Sequence, residues 1–175
     1  EILMSKKNLR IMTFDLSLKN EDQFMFISVN GGLLRQNVDH YSDEQYEIQC
    51  VTEKKPNEQE MKDLLFAMKV CKHVKSNAIT LAKERKTVGI GAGQMNRVGA
   101  ALIALEQAKN AGINEGLVLA SDAYFPFDDV VRLAKNYGVT AIIQPGGSIR
   151  DEASIIACNE LGISMIYTGV RHFRH

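Results

Sequence analysis

The pattern of apolar and polar positions changes character near residue 55. Before that point, short apolar runs lie between polar clusters and predict three strands, at residues 9–14, 24–29 and 33–36. No residue type in these runs suggests chemistry. The sequence therefore predicts a strand-rich segment over residues 1–55, and a charged connector around Pro56 leads into a different second part, residues 56–175.

In the second part, apolar residues recur at helical spacing and alternate with short apolar runs. The spacing predicts helices over residues 61–75, 98–111, 127–137 and 153–161, and strands over residues 77–83, 87–93, 117–120, 139–143 and 163–167. A glycine follows each of the last three helices and suits a left-handed helix cap. The last three strands are mainly apolar runs without alternation, which is typical of parallel strands covered by helices on both faces. We therefore predict an α/β fold, a layered sheet with helices on both faces.

Composition and charge exclude several classes of protein. Of the 175 residues, 21 are Lys or Arg and 21 are Asp or Glu, so the formal net charge is zero, which argues against a nucleic-acid surface or a polybasic membrane anchor. The sequence has no apolar run of the roughly 20 residues that span a bilayer, and no signal peptide is expected. Three widely spaced cysteines favour the reducing cytoplasm over a disulfide framework or structural zinc.

Ligands of parallel sheets bind beyond the carboxyl ends of the strands. The predicted strands lead into loops rich in glycine, aromatic and charged residues: 89–97, 121–129, 144–150 and 168–175. If the strands run parallel, these four loops meet at one edge of the sheet. The sequence therefore predicts a ligand site there, although the pattern alone does not define its chemistry.

The glycines of two loops each allow two interpretations. The first loop holds Gly89, Gly91 and Gly93. They resemble a dinucleotide-binding fingerprint with its third glycine misplaced, and close packing of the backbone is the simpler interpretation. In the third loop, two glycines precede the capping-box pair Ser148 and Asp151. That loop either only caps a helix or also holds an anion on free N–H groups.

The C-terminal tail carries the charged candidates. Arg171 and Arg174 offer the planar guanidinium that binds phosphate or carboxylate at two points, and a solvated terminus is the alternative. His172 and His175 have no further His or Cys neighbour that would complete a metal site, so a transition metal is not expected.

Five specific motifs occur in order along the second part. They are VKSNAI (74–79), VGIGAGQMNR (88–97), ASDAYFPF (120–127), IQPGGSIRD (143–151) and RHFRH (171–175). Together they closely resemble the C-terminal part of the bifunctional purine biosynthesis proteins. That family joins a phosphoribosylaminoimidazolecarboxamide (AICAR) formyltransferase to an inosine monophosphate (IMP) cyclohydrolase. The resemblance covers residues 60–175, and Gly31-Gly-Leu-Leu with Gln36 extends it towards the N-terminus.

The resemblance implies a cytidine-deaminase-like α/β fold used without zinc, and transfer of a formyl group from 10-formyltetrahydrofolate to the 5-amino group of AICAR. It implies that Asn77 is an active-site residue near the reacting amine. The implied nucleotide-binding residues are Tyr124, Phe127 and Arg171. The implied folate-binding residues are Arg97, Val98, Pro126 and Asp129. A structural monovalent cation such as potassium is implied near Asp122 and His175.

The sequence departs from the family pattern at the catalytic Lys-His pair. The family's catalytic Lys-His pair, in a segment reading roughly Lys-His-x-x-Pro-Ala-Gly, is expected upstream of this chain. Lys72-His73 resembles that pair but lacks the Pro-Ala-Gly, so we interpret it as helix surface.

We therefore expect the C-terminal half of the formyltransferase, without the cyclohydrolase domain and the upstream half, and inactive by itself. The full-length protein is expected to be a homodimer that binds AICAR and folate. The alternatives are a non-catalytic nucleotide-binding or assembly module, or a nicotinamide-dependent dehydrogenase.

Overall fold

The computed structural model describes residues 7–13 and 24–175, and the chain forms two compact units that divide between His40 and Tyr41. In the first unit, β1 (Phe24–Val29) and β2 (Gly32–Asn37) form an antiparallel hairpin. Both strands were predicted and are confirmed. The predicted strand at 9–14 is wrong over residues 9–13, which form no strand, because an apolar run needs a hydrogen-bonded neighbour as well. Phe14 lies outside the described residues.

The second unit alternates strands and helices as predicted. Its elements are β3 (Gln49–Cys50), α1 (Glu58–Cys71), β4 (Ile79–Lys83), β5 (Lys86–Gly91), α2 (Arg97–Asn110), β6 (Leu117–Ser121), α3 (Asp129–Lys135), β7 (Val139–Gln144), α4 (Asp151–Leu161) and β8 (Ser164–Tyr167), with one 3₁₀ turn at Asp43–Gln45. Helix α1 begins within the predicted connector, because Asn57 and Glu60 form a capping box there. Helix α3 begins two residues later than predicted, since the 121–129 loop continues past Phe127.

Among the described residues, the strands of this unit form one six-stranded sheet in the order β3-β8-β7-β6-β4-β5. The prediction of parallel strands is confirmed for β6, β7 and β8. Strand β4 runs antiparallel to both β5 and β6, with Ile79 opposite Gly91 and Ser121. Because β4 is reversed, its amino end lies at the edge where β5 and β6 have their carboxyl ends. The sheet is therefore mixed, and the residues just before β4 join the predicted ligand edge.

Helices cover both faces of the sheet, as predicted. Helix α1 packs on one face, where Leu64, Met68 and Cys71 are fully buried against alternate residues of the strands. Helices α2, α3 and α4 cover the opposite face around the fully buried Phe125. In the described part of the chain, no helix is long and apolar enough to cross a membrane.

The glycines of β5 allow helix α2 to lie directly against the strand. A Cβ atom at Gly89 would lie 2.1 Å from the Ala104 carbonyl oxygen, and one at Gly91 would lie 1.9 Å from that of Ala100. Both glycines lie inside the second strand of a hairpin, not in a phosphate-binding loop. The packing interpretation of this glycine motif is therefore confirmed.

The turn between β4 and β5 is held in an unusual backbone conformation by a buried carboxylate. Glu84 and Arg85 have φ values of 53° and 54°, which are costly for residues with a Cβ atom. The Asp63 carboxylate, on α1, accepts the N–H groups of Glu84 at 2.9 Å and of Arg85 at 2.7 Å. Asp63 therefore fixes a turn that the sequence of the turn itself does not favour.

We expect the double substitution E84N/R85G to raise the free energy of unfolding by about 1 kcal/mol, because Asn-Gly favours positive φ at both turn positions. Urea unfolding followed by circular dichroism measures the change. The control E84A/R85A removes the same charges without relieving the backbone, and it should not be stabilised. Equal stabilisation of both variants would show that removal of the charges, and not relief of the positive φ values, raises the free energy of unfolding.

Candidate functional site

The loops after β5 and β6, the residues before β4 and the C-terminal segment surround a cleft of about 390 Å³. Its described lining consists of Asn77, Met95, Asn96, Arg97, Ala123, Tyr124, Pro126, Arg171 and Phe173. Five of the residues predicted for the site therefore share this cleft: Asn77, Arg97, Tyr124, Pro126 and Arg171. These residues therefore come together at the sheet edge where the sequence predicts a ligand site.

A hydrogen-bonded network fixes the Asn77 side chain at the floor of the cleft. The Arg97 guanidinium donates from Nη1 to Asp122 Oδ1 and, at 2.8 Å, to Ser121 Oγ. From Nη2 it donates to Asn77 Oδ1 at 2.9 Å. Asn77 Nδ2 in turn donates to the Gln94 backbone carbonyl at 2.9 Å. Arg97, which is only 8% exposed, is thus paired with the fully buried Asp122, and its charge is neutralised.

Arg171 differs from Arg97 in both exposure and partners. It is exposed, and its guanidinium carbon lies 4.8 Å from the centre of the half-buried Tyr124 ring. No carboxylate pairs with Arg171 among the described residues. The stacking orients the guanidinium plane and leaves its N–H groups available to a ligand. The cleft therefore presents one uncompensated positive charge beside an aromatic face.

Backbone hydrogen bonds hold the segment around Asn77 from two sides. Ser76 donates its N–H to the Arg174 carbonyl at 2.8 Å, and Arg174 donates its own N–H to Ser76 Oγ at 3.1 Å. From the other side, Gly93 donates to the Lys75 carbonyl at 2.7 Å. The peptide bond between Ser76 and Asn77 is cis. The backbone of Arg174 is therefore held in place, while its side chain is exposed.

Four residues predicted for the site lie elsewhere. Phe127 is 50% exposed and carries the Arg150 guanidinium over its ring at 4.8 Å. Val98 lies in the first turn of α2 and packs against the core. Asp129 is exposed at the first turn of α3, and its Oδ1 accepts the Val130 N–H at 2.8 Å. His175 is exposed, with its ring stacked on Phe173 at a centroid distance of 5.7 Å.

The N–H groups of the Gly146-Gly147 loop donate to side chains of the loop and of the first turn of α4. The predicted capping box does not form, because helix α4 begins at Asp151 with no side-chain cap at Arg150. Instead, Asp151 Oδ2 accepts the Gly147 N–H at 2.7 Å, and Ser148 Oγ accepts the Arg150 N–H at 3.1 Å. These N–H groups are therefore already used inside the loop, which disfavours an anion held by them.

Burial raises the pKa of several groups in the second unit. Burial, with a smaller contribution from the Asp122 charge, raises the pKa of the Cys71 thiol to about 12. Burial raises the pKa of Cys158 to about 12 as well. The pKa of Tyr167 is raised by burial first and then by the Asp151 carboxylate. All three cysteines are free, and the two buried thiols remain protonated near neutral pH.

The predicted cation position rests on Asp122. Its second oxygen, Oδ2, is buried and has no hydrogen-bond partner among the described residues. A buried carboxylate oxygen without a hydrogen-bond partner is the kind of hard oxygen ligand that binds a monovalent cation. The surface position of His175 does not support its predicted share in this site. Among the described residues, no three or more His, Cys, Asp or Glu side chains are grouped to hold a metal ion.

The remaining histidine and lysine candidates have structural partners. His172 is 1% exposed, and its Nε2 lies 3.0 Å from the hydroxyl of Tyr46. Lys72 caps the end of α1 and donates from Nζ to the Tyr41 carbonyl at 2.7 Å, while His73 is exposed. Neither Lys72 nor His73 belongs to the described lining of the cleft, which agrees with their interpretation as helix surface.

Sequence reasoning missed several residues of the site, chiefly Gln94, Ser121 and Phe173. Gln94 acts through its backbone carbonyl, which any residue type could supply. Ser121 lies at the end of β6 and bonds both Arg97 and, through Oγ, the Ala123 carbonyl at 2.7 Å. All three lie in loops that the sequence analysis had selected, so the loops were identified correctly and the individual contacts were not.

Comparison with known proteins identifies the family. A sequence model described as "AICARFT/IMPCHase bienzyme" matches residues 1–107, more than half of the chain. The chain belongs to this family. Similar proteins include "Bifunctional purine biosynthesis protein PurH" of Anoxybacillus flavithermus, 57% identical over all 175 residues, and of Bacillus subtilis, 55% identical over the same span. The same-named protein of Oceanobacillus iheyensis is 52% identical. This chain spans 34% of the length of each of these family members.

Proposed function

We propose that this chain supplies part of the AICAR formyltransferase site of a bifunctional purine biosynthesis enzyme. In the proposed reaction, 10-formyltetrahydrofolate gives its formyl group to the 5-amino group of AICAR. The chain is proposed to be the C-terminal half of the formyltransferase, with a cytidine-deaminase-like fold. By the same resemblance, the full-length protein is proposed to be a cytoplasmic homodimer that also carries IMP cyclohydrolase activity.

One observation carries the proposal: the uncompensated, exposed Arg171 lies over Tyr124 in the same cleft as Asn77. A nucleotide has a phosphate, which suits a guanidinium, and a flat base, which suits an aromatic face. The proposed roles follow from these chemical types. Arg171 binds the phosphate, Tyr124 packs against the base, and Pro126 lines the folate side.

The amine of AICAR is a poor nucleophile because the neighbouring carboxamide withdraws electrons from it. Attack on the formyl carbon therefore needs removal of a proton and close alignment of the two reactants. Asn77 is an amide, which does not titrate, so its proposed role is to orient the amine. In the family pattern the proton acceptor is a Lys-His pair, and Lys72 and His73 lie outside the described cleft lining.

Phe127, Val98 and Asp129 remain proposals by resemblance. Their positions outside the described lining fit a ligand that extends beyond the cleft, with Phe127 exposed just after Pro126 and Asp129 exposed at the start of α3. The Asp122 oxygen without a partner fits a bound potassium ion, which would supply structural charge compensation and no chemistry.

We expect R171A to weaken AICAR binding by about 10- to 100-fold, the scale of a lost charge-assisted hydrogen bond. Isothermal titration calorimetry of the complete gene product that contains this chain measures the change. R174A is the matched control, because Arg174 is exposed and contributes its backbone groups to Ser76. Affinity for the nucleoside without its phosphate should be the same in R171A and the unmodified protein. Loss of AICAR affinity in R174A and not in R171A would show that Arg174, and not Arg171, binds the phosphate.

The same titrations separate the proposed function from its alternatives. A formyltransferase binds both AICAR and folate, and the complete gene product should convert AICAR to its formylated product. A nucleotide-binding or assembly module binds the nucleotide alone and shows no conversion. A nicotinamide-dependent dehydrogenase binds neither ligand, so either of these outcomes would overturn the proposal.

A further inference from the structure

We propose that Gln144 is a positioning residue that holds the Tyr124 ring at its spacing from Arg171, the spacing at which the cleft receives the base and the phosphate of AICAR. The inference deepens the proposed function and rests on it. Gln144 is the last residue of β7 and is fully buried, and it is not part of the described lining of the cleft. It acts instead through the loops whose backbone it binds.

One atom, the amide oxygen of Gln144, joins two loops at the ligand edge. Oε1 accepts the N–H groups of Phe125 and of Gly146, each at 3.3 Å. Phe125 is the residue between Tyr124 and Pro126, which both line the cleft. Gly146 lies in the loop that follows β7. The loop that carries Tyr124 and the loop after β7 are therefore tied together by a single buried side chain.

The chemistry of the neighbours fixes which end of the Gln144 amide faces the loops. Both backbone N–H groups are donors, so the atom that they share must be an acceptor. At the other end of the amide, Nε2 lies 3.4 Å from the Sδ atom of Met165, a weak acceptor. A rotation of the amide by half a turn would set its NH₂ group against two donors. The amide therefore has one favourable orientation, and this orientation serves both loops at once.

The backbone of Gln144 holds the segment that leads to Arg171. Its carbonyl accepts the Thr168 N–H at 3.0 Å. A Cβ atom at Gly147 would lie 3.7 Å from Nη2 of Arg171, so the loop after β7 also reaches this guanidinium. Because β7 lies between β6 and β8 in the sheet, its last residue lies between the loop of Tyr124 and the segment of Arg171. Gln144 is therefore placed to set the spacing of this pair.

Removal of the amide oxygen would leave two N–H groups of buried residues without their acceptor. An N–H without a partner costs free energy in a protein interior, so the loops must shift until each group finds water or another acceptor. Phe125 is fully buried and anchors one of these loops in the core. We therefore expect a displaced Tyr124 ring in a protein that is still folded.

The test is isothermal titration calorimetry of AICAR into the complete gene product and into its Q144M variant. Methionine is close to glutamine in volume and has no amide oxygen. We expect Q144M to weaken AICAR binding by about 10-fold, the scale of lost preorganisation at one aromatic contact. Equal affinity of Q144M and the unmodified protein would overturn the inference.

Q107M is the matched control for this measurement. The Gln107 amide oxygen also accepts a backbone N–H, that of Ile90 at 2.9 Å, and Gln107 lies outside the described lining of the cleft. The substitution therefore removes the same kind of contact at another place on the sheet. AICAR affinity should be the same in Q107M and in the unmodified protein, and an equal loss in both variants would overturn the inference.

A conservative variant separates positioning from the filling of space. Q144E keeps an oxygen that can accept both N–H groups, so its AICAR affinity should return to within about threefold of the unmodified protein. An affinity as weak as that of Q144M would show that the acceptor is not the cause, contrary to the inference. If Q144M does not fold, Q144N takes its place, because its amide is one methylene shorter and cannot reach both loops.

A double-mutant cycle with Y124A tests whether Gln144 acts through Tyr124. If it does, Q144M should weaken AICAR binding by less than about threefold in the Y124A background. Multiplication of the two effects would show that Gln144 acts independently of Tyr124, and the inference would be wrong.

Hydrogen–deuterium exchange keeps this inference distinct from the proposed function, because it needs no ligand. Measured by mass spectrometry, peptides that contain Phe125 or Gly146 should exchange faster in Q144M than in the unmodified protein, and at the normal rate in Q107M. Unchanged exchange in Q144M would overturn the inference. Absence of AICAR binding by the unmodified protein, with faster exchange in Q144M, would overturn the proposed function alone.

Discussion

Replacing Asn77 with alanine is expected to lower kcat of formyl transfer by about 100- to 10,000-fold in the complete gene product, the scale of lost positioning and assisted proton transfer. The Asn77 amide is bonded on one side by the Arg97 guanidinium and on the other by the Gln94 carbonyl. Its removal takes away the neutral group that we propose to align the amine. Rapid-quench or steady-state kinetics at saturating AICAR and folate measures the loss.

Two variants make this result specific. N77D keeps an oxygen for Arg97 and loses the NH₂ group that bonds Gln94, so we expect it to be nearly as slow as N77A. N110A replaces an exposed asparagine at the end of α2 and should behave like the unmodified protein. A kcat within about threefold of normal in N77A would remove Asn77 from the mechanism.

The substitution G91A is expected to lower the free energy of unfolding by about 3 kcal/mol, at the upper end of the cost of overpacking a core. The new Cβ atom would lie 1.9 Å from the Ala100 carbonyl oxygen and 2.8 Å from the Ala100 Cα atom. These are backbone atoms of α2, so no side chain can move aside. The helix itself must shift, and its first residue is Arg97.

This second prediction therefore couples stability to the site. Urea unfolding of the chain gives the change in stability, and G32A is the matched control. Gly32 also lies in a strand, but a Cβ there would meet only Val29 Cγ2, at an ordinary 3.7 Å. Stability of G91A within about 1 kcal/mol of the unmodified chain would show that α2 adjusts easily, contrary to the close packing described above.

The layers of the second unit were predicted well because strands that are buried on both faces consist mainly of apolar residues, which are visible in the sequence. Residues 117–120 are continuously apolar and residues 139–143 are interrupted only by Thr140, and the structure places them in the parallel strands β6 and β7. Periodicity carries no record of direction, so the antiparallel pairing of β4 with β6 was not predicted. That pairing is what brings Asn77 to the same edge as the loops after β5 and β6.

Individual contacts in the site were harder to predict than the loops that carry them. Arg97 and Asp122 lie 25 positions apart, and nothing in the local pattern indicates that they pair. A sequence shows that an arginine is present, but not whether a buried carboxylate already neutralises it. Burial and partners, which the structure supplies, distinguish the paired Arg97 from the exposed Arg171.

The crystal structure of the complete gene product with AICAR bound tests the central claim most directly. The account predicts the phosphate at Arg171, the base against Tyr124 and the 5-amino group within hydrogen-bond distance of Asn77, with Arg97 still paired to Asp122. Binding of AICAR away from this cleft, or a phosphate seated on Arg97, would contradict it.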